Sequence, residues 1–178
     1  MNIQELQIEG VFLINNFSQK DIRGIFVKPF SNILPLFNEI HFEINEVYYS
    51  ISKKNVIRGM HFQRPPMDYA KLIYLTSGSI TDVLLDLRKT FNTYKSHISI
   101  DLSAHENALF IPPGIANGYL SKEDETTVVY NQSIVYSQNH DDGIRWNSFG
   151  YDWEVDVPIL SDRDQSFIKF NDFSSPFN

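Results

Sequence analysis

The chain has 178 residues, a formal net charge of −7 and no cysteine. This length suits one domain with a sizeable core, and the missing cysteine excludes disulfides, thiolate chemistry and cysteine-bound zinc. The acidic balance argues against nucleic-acid binding, which needs a basic face, but a local cluster of Arg and Lys can still hold a small anion. No apolar run approaches the roughly 20 residues of a membrane span, and residues 1–10 lack the features of a secretory signal, so we predict a cytoplasmic protein without a membrane partner.

Short apolar runs separated by turn residues dominate the chain, and 14% of the residues are aromatic. In chain order, strands are predicted at 8–15, 25–28, 42–52, 56–63, 71–77, 79–87, 94–102, 108–112, 115–120 and 126–136, with a polar loop at 17–24 and short helices at 33–40 and 161–167. Gly78 separates two of these strands and predicts a tight hairpin. The pattern is typical of an all-β sandwich or barrel, and we predict a single domain over 1–178.

The segment 56–71, VIRGMHFQRPPMDYAK, brings together cations and a histidine. Arg58 and Lys71 suit a phosphate or an oxyanion. His61 is the natural acid or base, because histidine exchanges protons near neutral pH. Each of these residues alone is more often a solvated charge or a hydrogen-bonded side chain. Their combination, and what matches it further along the chain, makes this segment the candidate centre of a site.

A set of motifs carries a resemblance to a known family. They are Asp-x-Arg-Gly-x-Phe at 21–26, Asn-Val-x-Arg-Gly-x-His-Phe-Gln at 55–63, Lys-Leu at 71–72, Gly-x-Ile-x-Asp-Val at 78–83, Asp-Leu-Arg at 86–88, Leu-Ser-Ala at 102–104, Ile-Pro-x-Gly-x-Ala at 111–116, Gly-Ile-Arg-Trp at 143–146 and Leu-Ser-x-x-Asp at 160–164. Through them the chain resembles the dTDP-4-dehydrorhamnose 3,5-epimerase family over roughly residues 10–165. The resemblance implies an all-β cupin-type jelly roll, or double-stranded β-helix, with short flanking helices. It also implies a homodimer that exchanges N-terminal strands, about residues 1–30.

The resemblance further implies a reaction and a substrate class. The substrate is a nucleotide-diphosphate 4-keto-6-deoxy sugar, whose ketone acidifies the hydrogens on C3 and C5. A base removes one of them to give an enolate, and an acid returns a proton from the opposite face, which inverts that carbon. The reaction needs no metal and no redox cofactor, and such sugars serve surface glycans such as capsule and lipopolysaccharide.

Four residues match the family's catalytic positions. By the resemblance, His61 is the base, Asp164 the carboxylate that pairs with it and fixes the tautomer of its ring, Tyr130 the acid on the far face, and Lys71 the cation near the C4 oxygen. Without the family, Asp164 would simply cap a helix and Tyr130 would be a core tyrosine.

Ten further residues are expected to bind substrate. They are Arg23, Phe26, Lys28, Glu46, Tyr48, Arg58, Gln63, Asn117, Tyr119 and Tyr136. Arg23 and Arg58 match positions in the diphosphate and substrate pocket, while Phe26 and Tyr136 match aromatic positions on which a nucleotide base can stack. If strands are exchanged, Arg23 and Phe26 serve the pocket of the neighbouring subunit.

The chain departs from the family pattern at several of these positions. Asn117-Gly-Tyr119 stands where His-Gly-Phe is typical, so the second active-site histidine is an amide that carries no proton near neutrality. Glu46-Val-Tyr48-Tyr-Ser replaces Gln-x-Asn-His-Ser, and Lys28 stands where many thymidine-nucleotide enzymes carry a carboxylate. The nucleotide (dTDP, GDP or CDP), the sugar (hexose or heptose) and the number of inverted carbons therefore stay open.

Other functions remain as alternatives. A C3-only epimerase or a ketoisomerase on a GDP- or CDP-linked sugar would use the same enolate chemistry. A metal-dependent cupin would need a His-x-His motif, which the sequence lacks. A sugar-nucleotide binding module without catalysis is the alternative from another class, and the retained His61, Tyr130 and Asp164 argue against it.

Overall fold

The structure is a computed structural model that describes residues 2–31 and 35–178. Its architecture is almost entirely antiparallel β, which confirms the predicted jelly roll. One sheet has six strands, in the spatial order β1 (Asn2–Glu5), β2 (Phe12–Asn15), β10 (Asn107–Ile111), β7 (Lys71–Ser77), β12 (Thr126–Gln132) and β5 (Glu46–Ser52). A second has five strands, in the order β13 (Asp141–Gly143), β6 (Ile57–Gln63), β11 (Ile115–Ser121), β8 (Ser79–Asp86) and β9 (His97–Ser103).

Three short elements flank the sheets and one hairpin is separate from them. The hairpin joins β3 (Phe17–Asp21) to β4 (Gly24–Lys28). The helices are α1 (Pro35–Glu39), α2 (Asp162–Ser166) and a single 3₁₀ turn at Phe170–Asp172. Among the described residues, no helix has the length and apolar character needed to cross a membrane.

The main core lies between the two large sheets. Leu75 and Val128 of the six-stranded sheet share one buried cluster with Leu84 and Leu102 of the five-stranded sheet. Burying an aliphatic side chain of this size contributes about 1.5–3 kcal/mol, so this layer is a large source of stability. The outer face of the five-stranded sheet is covered by the C-terminal segment, which buries apolar residues such as Trp153. With both faces covered, β8 is buried at six of its eight positions instead of at alternate positions.

The predicted hairpin at Gly78 is wrong, although both of its strands exist. The backbone turns at Gly78 with φ +75°, but β7 pairs with β10 and β12 whereas β8 pairs with β9 and β11. The glycine therefore passes the chain from one sheet to the other. It has little room, because a Cβ at this position would lie 2.2 Å from Thr126 Oγ1.

The N-terminal third also differs from prediction. The sequence predicts a polar loop at 17–24, but most of this segment is strand β3, whose side chains are all exposed and so show no alternation in burial. The strand predicted at 8–15 is limited to β2, and the sequence does not predict β1 or, near the other end of the chain, β13. The helix predicted at 33–40 is present as α1, while residues 32–34 lie outside the described part of the chain.

Candidate active site

A cavity of about 430 Å³ opens between the two sheets. This volume is in the range of small-molecule sites. Its lining comes from both sheets and from nearby loops, and comprises Glu46, Tyr48, Ser50, Arg58, His61, Tyr69, Lys71, Asn117, Tyr119, Tyr130, Gln132, Tyr136, Asp141 and Arg163. The structure thus gathers nine of the fourteen predicted site residues around one pocket, and a tenth, Asp164, lies directly behind His61.

His61 and Asp164 form a close pair at the pocket wall. His61 Nε2 lies 2.7 Å from Asp164 Oδ1, and the backbone N–H of Gly59 donates to Asp164 Oδ2 at 3.3 Å. A carboxylate can only accept hydrogen bonds, so Nε2 carries the proton and Nδ1 keeps the free lone pair. The side chain of Asp164 is 5% exposed and that of His61 is 28% exposed. The buried carboxylate therefore orients a ring that substrate can still reach.

Helix α2 places this carboxylate. Ser161 is the N-cap residue, and its side chain accepts a hydrogen bond from the backbone N–H of Asp164 at 3.1 Å. Asp164 is thus not used as a cap, and its side chain is free to reach His61. Burial raises the pKa of Asp164. The hydrogen bond and the charge of His61 lower this pKa, as does the hydrogen bond from the Gly59 N–H, and together they outweigh burial, so the net pKa is lowered. The carboxylate therefore stays ionised at neutral pH.

Tyr130 approaches the pocket from the six-stranded sheet, opposite His61. Its ring stacks on that of Tyr48, with the centroids 4.7 Å apart and the planes 13° apart. The hydroxyl of Tyr48 accepts a hydrogen bond from Gln132 Nε2 at 2.7 Å, which fixes that ring in turn. Burial raises the pKa of Tyr130 well above its ordinary value. Tyr130 therefore keeps its proton at neutral pH and can donate it.

Lys71 is buried at the pocket floor beside an amide. Its Nζ donates to Asn117 Oδ1 at 3.3 Å and lies 5.0 Å from the centroid of the Tyr69 ring. Asn117 Nδ2 donates in turn to both carboxylate oxygens of Asp82, at 2.7 and 2.9 Å. Burial lowers the pKa of Lys71 to about 8, while the charges of Asp82 and Asp141 act in the opposite direction. Lys71 is therefore a cation at neutral pH.

A second group of polar side chains links β5 of one sheet to β6 and β11 of the other. The Tyr119 hydroxyl is 2.9 Å from both Ser50 Oγ and Ser52 Oγ, and Arg58 Nε donates to Ser52 Oγ at 3.0 Å. Tyr119 is buried, whereas Arg58 is exposed and lines the cavity. This arrangement leaves part of the Arg58 guanidinium available for an anion.

The cavity mouth is built from charged residues and one exposed tyrosine. The Tyr136 backbone N–H donates to Glu46 Oε2 at 2.8 Å, and its hydroxyl donates to Asp141 Oδ2 at 3.2 Å. Arg163 of helix α2 donates to the same Asp141 oxygen. The Tyr136 side chain thus has two fixed neighbours and a largely exposed ring, which suits stacking against a planar group.

Four predicted binding residues lie outside this pocket. Gln63 is buried and braces two loops, donating to the Met67 carbonyl at 2.7 Å and accepting from the Ser137 N–H at 2.6 Å. Gln63 therefore braces these loops and is not part of the cavity lining. Arg23, Phe26 and Lys28 belong to the β3–β4 hairpin and do not line the pocket of their own chain.

The sequence prediction missed several residues of the site. They are Asp82 behind the pocket and Ser50, Tyr69, Gln132, Asp141 and Arg163 in its lining. Asp82 had a usable signal, because it shares a strand face with Leu84 and a carboxylate on a buried face needs a partner. Asp141 and Arg163 had none, since they meet only through the folding of the C-terminal segment.

Within residues 2–31 and 35–178, His, Asp and Glu side chains form no group of three or more that could hold a metal ion. The metal-dependent alternative therefore has no ligand set in the described part of the chain. The polar groups that converge on the cavity are instead one imidazole, phenols, amides, carboxylates and three cations, Lys71, Arg58 and Arg163.

Comparison with known proteins identifies the family. The sequence profile of the dTDP-4-dehydrorhamnose 3,5-epimerases matches residues 5–172. The enzyme of that name from Shigella flexneri is 33% identical, with 97% of each chain covered. The crystal structure of the Bacillus anthracis enzyme with TDP and pyrophosphate bound superposes with a TM-score of 0.90 at 31% identity, covering 94% of this chain and 98% of the other.

A further similar structure is NovW, a 4-keto-6-deoxy sugar epimerase from the novobiocin gene cluster of Streptomyces spheroides. It has a TM-score of 0.89 at 29% identity and covers 95% of this chain and 87% of its own. The family profile spans nearly all of the chain, and the relatives agree in fold and in length. The protein described here belongs to the dTDP-4-dehydrorhamnose 3,5-epimerase family of isomerases.

Proposed function

We propose that this protein inverts C3, C5 or both carbons of a nucleotide-diphosphate 4-keto-6-deoxy sugar through an enolate, for the synthesis of surface polysaccharide. One observation carries the proposal. A carboxylate-paired imidazole, His61, and a protonated phenol, Tyr130, enter one pocket from opposing sheets. Inversion requires a base and an acid on opposite faces of the same carbon, and this arrangement supplies both.

The proposed steps use side chains that line the cavity. Nδ1 of His61 takes the proton from the carbon beside the ketone, and the bonding electrons move to the C4 oxygen. The Lys71 ammonium stabilises the negative charge that develops there. Tyr130 then donates its phenolic proton to the opposite face, the ketone re-forms, and solvent restores the protonation of both groups. The proposal assigns no cofactor, since these side chains provide each required role.

The nucleotide end of the substrate has candidate partners at the cavity mouth. Arg58 would bind the diphosphate, and the exposed ring of Tyr136 would stack against the base. Glu46 and Asp141 offer acceptors for a base or sugar N–H or O–H. The nucleotide is one of dTDP, GDP and CDP, and the sugar a hexose or a heptose, all of which the experiment below includes.

We propose that the protein is a homodimer that exchanges its N-terminal strands, so that Arg23, Phe26 and Lys28 complete the neighbour's pocket. The hairpin that carries them exposes the apolar side chains of Phe17, Ile25 and Phe26. Such exposure on an isolated hairpin favours burial against a second copy.

Subunit complementation tests this dimer directly. His61→Ala and Arg23→Ala chains, each of which we expect to be inactive alone, are unfolded together, refolded and assayed. Recovered activity would show that one pocket draws on two chains. A monomer in light-scattering chromatography, or no recovery from a mixture shown to contain hybrid dimers, would reject strand exchange. The cytoplasmic location is part of the same proposal and is tested by cell fractionation.

The central experiment is incubation in heavy water with dTDP-, GDP- and CDP-linked 4-keto sugars, including a heptose, followed by mass spectrometry and proton NMR. Deuterium at C3 and C5 with inversion at both carbons supports a 3,5-epimerase. The nucleotide sugars that react identify the substrate class. Deuterium at C3 alone supports a single-site epimerase, while migration of the ketone indicates a ketoisomerase. Binding without exchange for every sugar would reject catalysis in favour of a binding module.

The His61→Ala variant is the matched test of the base. It should lose exchange while still binding the nucleotide sugar, because the ring lies in the sugar-facing wall and the Arg58 site is untouched. Exchange at the wild-type rate in this variant would exclude His61 as the base. His97→Ala on β9 removes a histidine outside the pocket and controls for the loss of an imidazole.

A further inference from the structure

Asp82 is a buried carboxyl group that the proposed reaction steps do not use. It lies on β8 with a relative exposure of 0%, and its only hydrogen-bond donor within the described residues is the Asn117 amide. Burying a carboxylate is costly, so a group that bonds to one neutral amide needs a further source of compensation. The same amide contacts Lys71 on its other side.

The chemistry of the three side chains fixes the direction of the link. An ammonium group can only donate and a carboxylate can only accept, whereas an amide has one accepting and one donating end. Asn117 must therefore point its oxygen at Lys71 and its nitrogen at Asp82, as the contacts of 3.3, 2.7 and 2.9 Å show. The Asn117 amide also neither gains nor loses a proton near neutral pH, so the bridge keeps the same protonation state while its two ends titrate.

We propose that Asp82, acting through the Asn117 amide, is a positioning residue that keeps the Lys71 ammonium charged and directed into the pocket. This inference rests on the proposed function, in which Lys71 meets the C4 oxygen of the sugar. Asp82 itself does not touch the substrate. It sets the orientation of Asn117 and supplies the negative charge that compensates a buried cation.

The electrostatics of the pocket agree with this assignment. The titratable and charged groups that share the site with Lys71 are Asp82 behind the cavity and, in its lining, Glu46, Tyr48, Arg58, His61, Tyr69, Tyr119, Tyr130, Tyr136, Asp141 and Arg163. Among them, the charges of Asp82 and Asp141 oppose the lowering of the Lys71 pKa by burial. Burial raises the pKa of Asp82, while the hydrogen bond from Asn117 and the charge of Lys71 favour its ionised form. The two groups are coupled, so the proton dissociation constant of each depends on the charge of the other.

The test is to measure the pKa of Lys71 by NMR of ¹³C,¹⁵N-lysine-labelled protein without substrate, with Lys71→Arg used for assignment. Asp82→Asn keeps the shape and the bond to Asn117 but removes the charge. Two charges separated by one amide interact by about one to two pKa units, so the proton dissociation constant of Lys71 should increase about 10- to 100-fold. Asp101→Asn, an exposed carboxylate on β9 paired with Lys122, is the control.

A second readout separates positioning from a merely structural role. In Asp82→Asn the alkaline limb of the deuterium-exchange profile should move to lower pH by the same amount as the Lys71 pKa. Asn117→His should preserve the link, because a neutral imidazole can donate to Asp82 and accept from Lys71. If Asp82→Asn fails to fold, the coupled titration is sought in wild-type protein, by following the Asp82 side-chain carbon and Lys71 together.

The outcomes distinguish the two proposals. An unchanged Lys71 pKa in folded Asp82→Asn would overturn this inference without affecting the proposed epimerase function. A Lys71 titration in the wild type that is independent of Asp82 would do the same. A lowered Lys71 pKa in a protein that exchanges no sugar would support the electrostatic link and reject the proposed function.

Discussion

Replacing Asp164 with asparagine tests the role of the carboxylate that holds His61. In the wild type, Asp164 accepts from His61 Nε2 through one oxygen and from the Gly59 N–H through the other. An asparagine has a single oxygen, so it can satisfy only one of these donors. If its oxygen turns to Gly59, its NH₂ group faces Nε2, which must then accept, and the ring proton moves to Nδ1. Nδ1, the nitrogen proposed as the base, would then carry a proton and could not accept one from the sugar.

The expected loss is set by the contribution of a correctly oriented general base. Such a base is worth about 10²–10⁴-fold in rate, or about 3–5 kcal/mol of the activation barrier. Exchange of the sugar hydrogens into heavy water, followed by proton NMR, should slow by that factor in Asp164→Asn. Asp162→Asn is the matched control, since it makes the same chemical change at an exposed position of the same helix. Exchange within about threefold of wild type would refute the tautomer argument.

The same variant should also change the dependence of stability on pH. Folding lowers the pKa of Asp164 below 3.8, so its ionised form stabilises the fold above that pH, and this contribution is lost as the pH falls through the folded pKa. The melting temperature of Asp164→Asn should therefore lie below that of the wild type at pH 7, and the difference should narrow in acid. A constant difference from pH 7 to acid would show that packing, and not charge, accounts for the loss.

Three other perturbations have defined outcomes. Tyr130→Phe should slow inversion about 10²–10⁴-fold with little change in the dissociation constant of the nucleotide sugar, whereas Tyr74→Phe, outside the pocket, should change neither. Wild-type activity should fall above about pH 8 as Lys71 loses its proton, and a flat profile to pH 9.5 would contradict this role. Gly78→Ala should lower the free energy of unfolding by at least about 2 kcal/mol, measured by calorimetry, because its Cβ would lie 2.2 Å from Thr126 Oγ1. Gly150→Ala is the control, because Gly150 also has a positive φ but open space around it, so its loss of stability measures the backbone strain without the steric clash.

Much of the fold could be predicted from local sequence. Strand β7 contains the apolar run Leu-Ile-Tyr-Leu, and β12 contains a run of β-branched and aromatic residues, so the existence of both follows from hydrophobicity and β propensity. Their partners could not be read in the same way. Gly78 has the backbone conformation of a tight turn whether the next strand returns beside the first or crosses to the opposite sheet, and only the packing of the whole core decides between them. The hairpin prediction failed for that reason.

The site shows the same division between local and long-range information. The motif around His61 marks one side of the pocket, but Asp164 lies 103 residues away, and without the family resemblance its sequence context indicates a helix cap. Ser161 provides the cap, which leaves the Asp164 side chain for the imidazole. Asp82 is absent from the residues that the sequence predicts, because a carboxylate in a strand is usually exposed. Its one local signal is Leu84 two residues later, which shares its face of β8 and is buried between the sheets.

Three of the positions that depart from the family pattern line the same cavity. Tyr119 stands where phenylalanine is typical, and its hydroxyl lies 2.9 Å from Ser50 on β5. Tyr48, in place of asparagine, stacks on Tyr130, and Asn117, in place of histidine, contacts Lys71. These three residues line the cavity from both sheets, while His61 and Asp164 keep the residue types of the family pattern. Because the proposed base is retained and the residues around it differ, we expect selection among nucleotide sugars to depend on Tyr48, Asn117 and Tyr119.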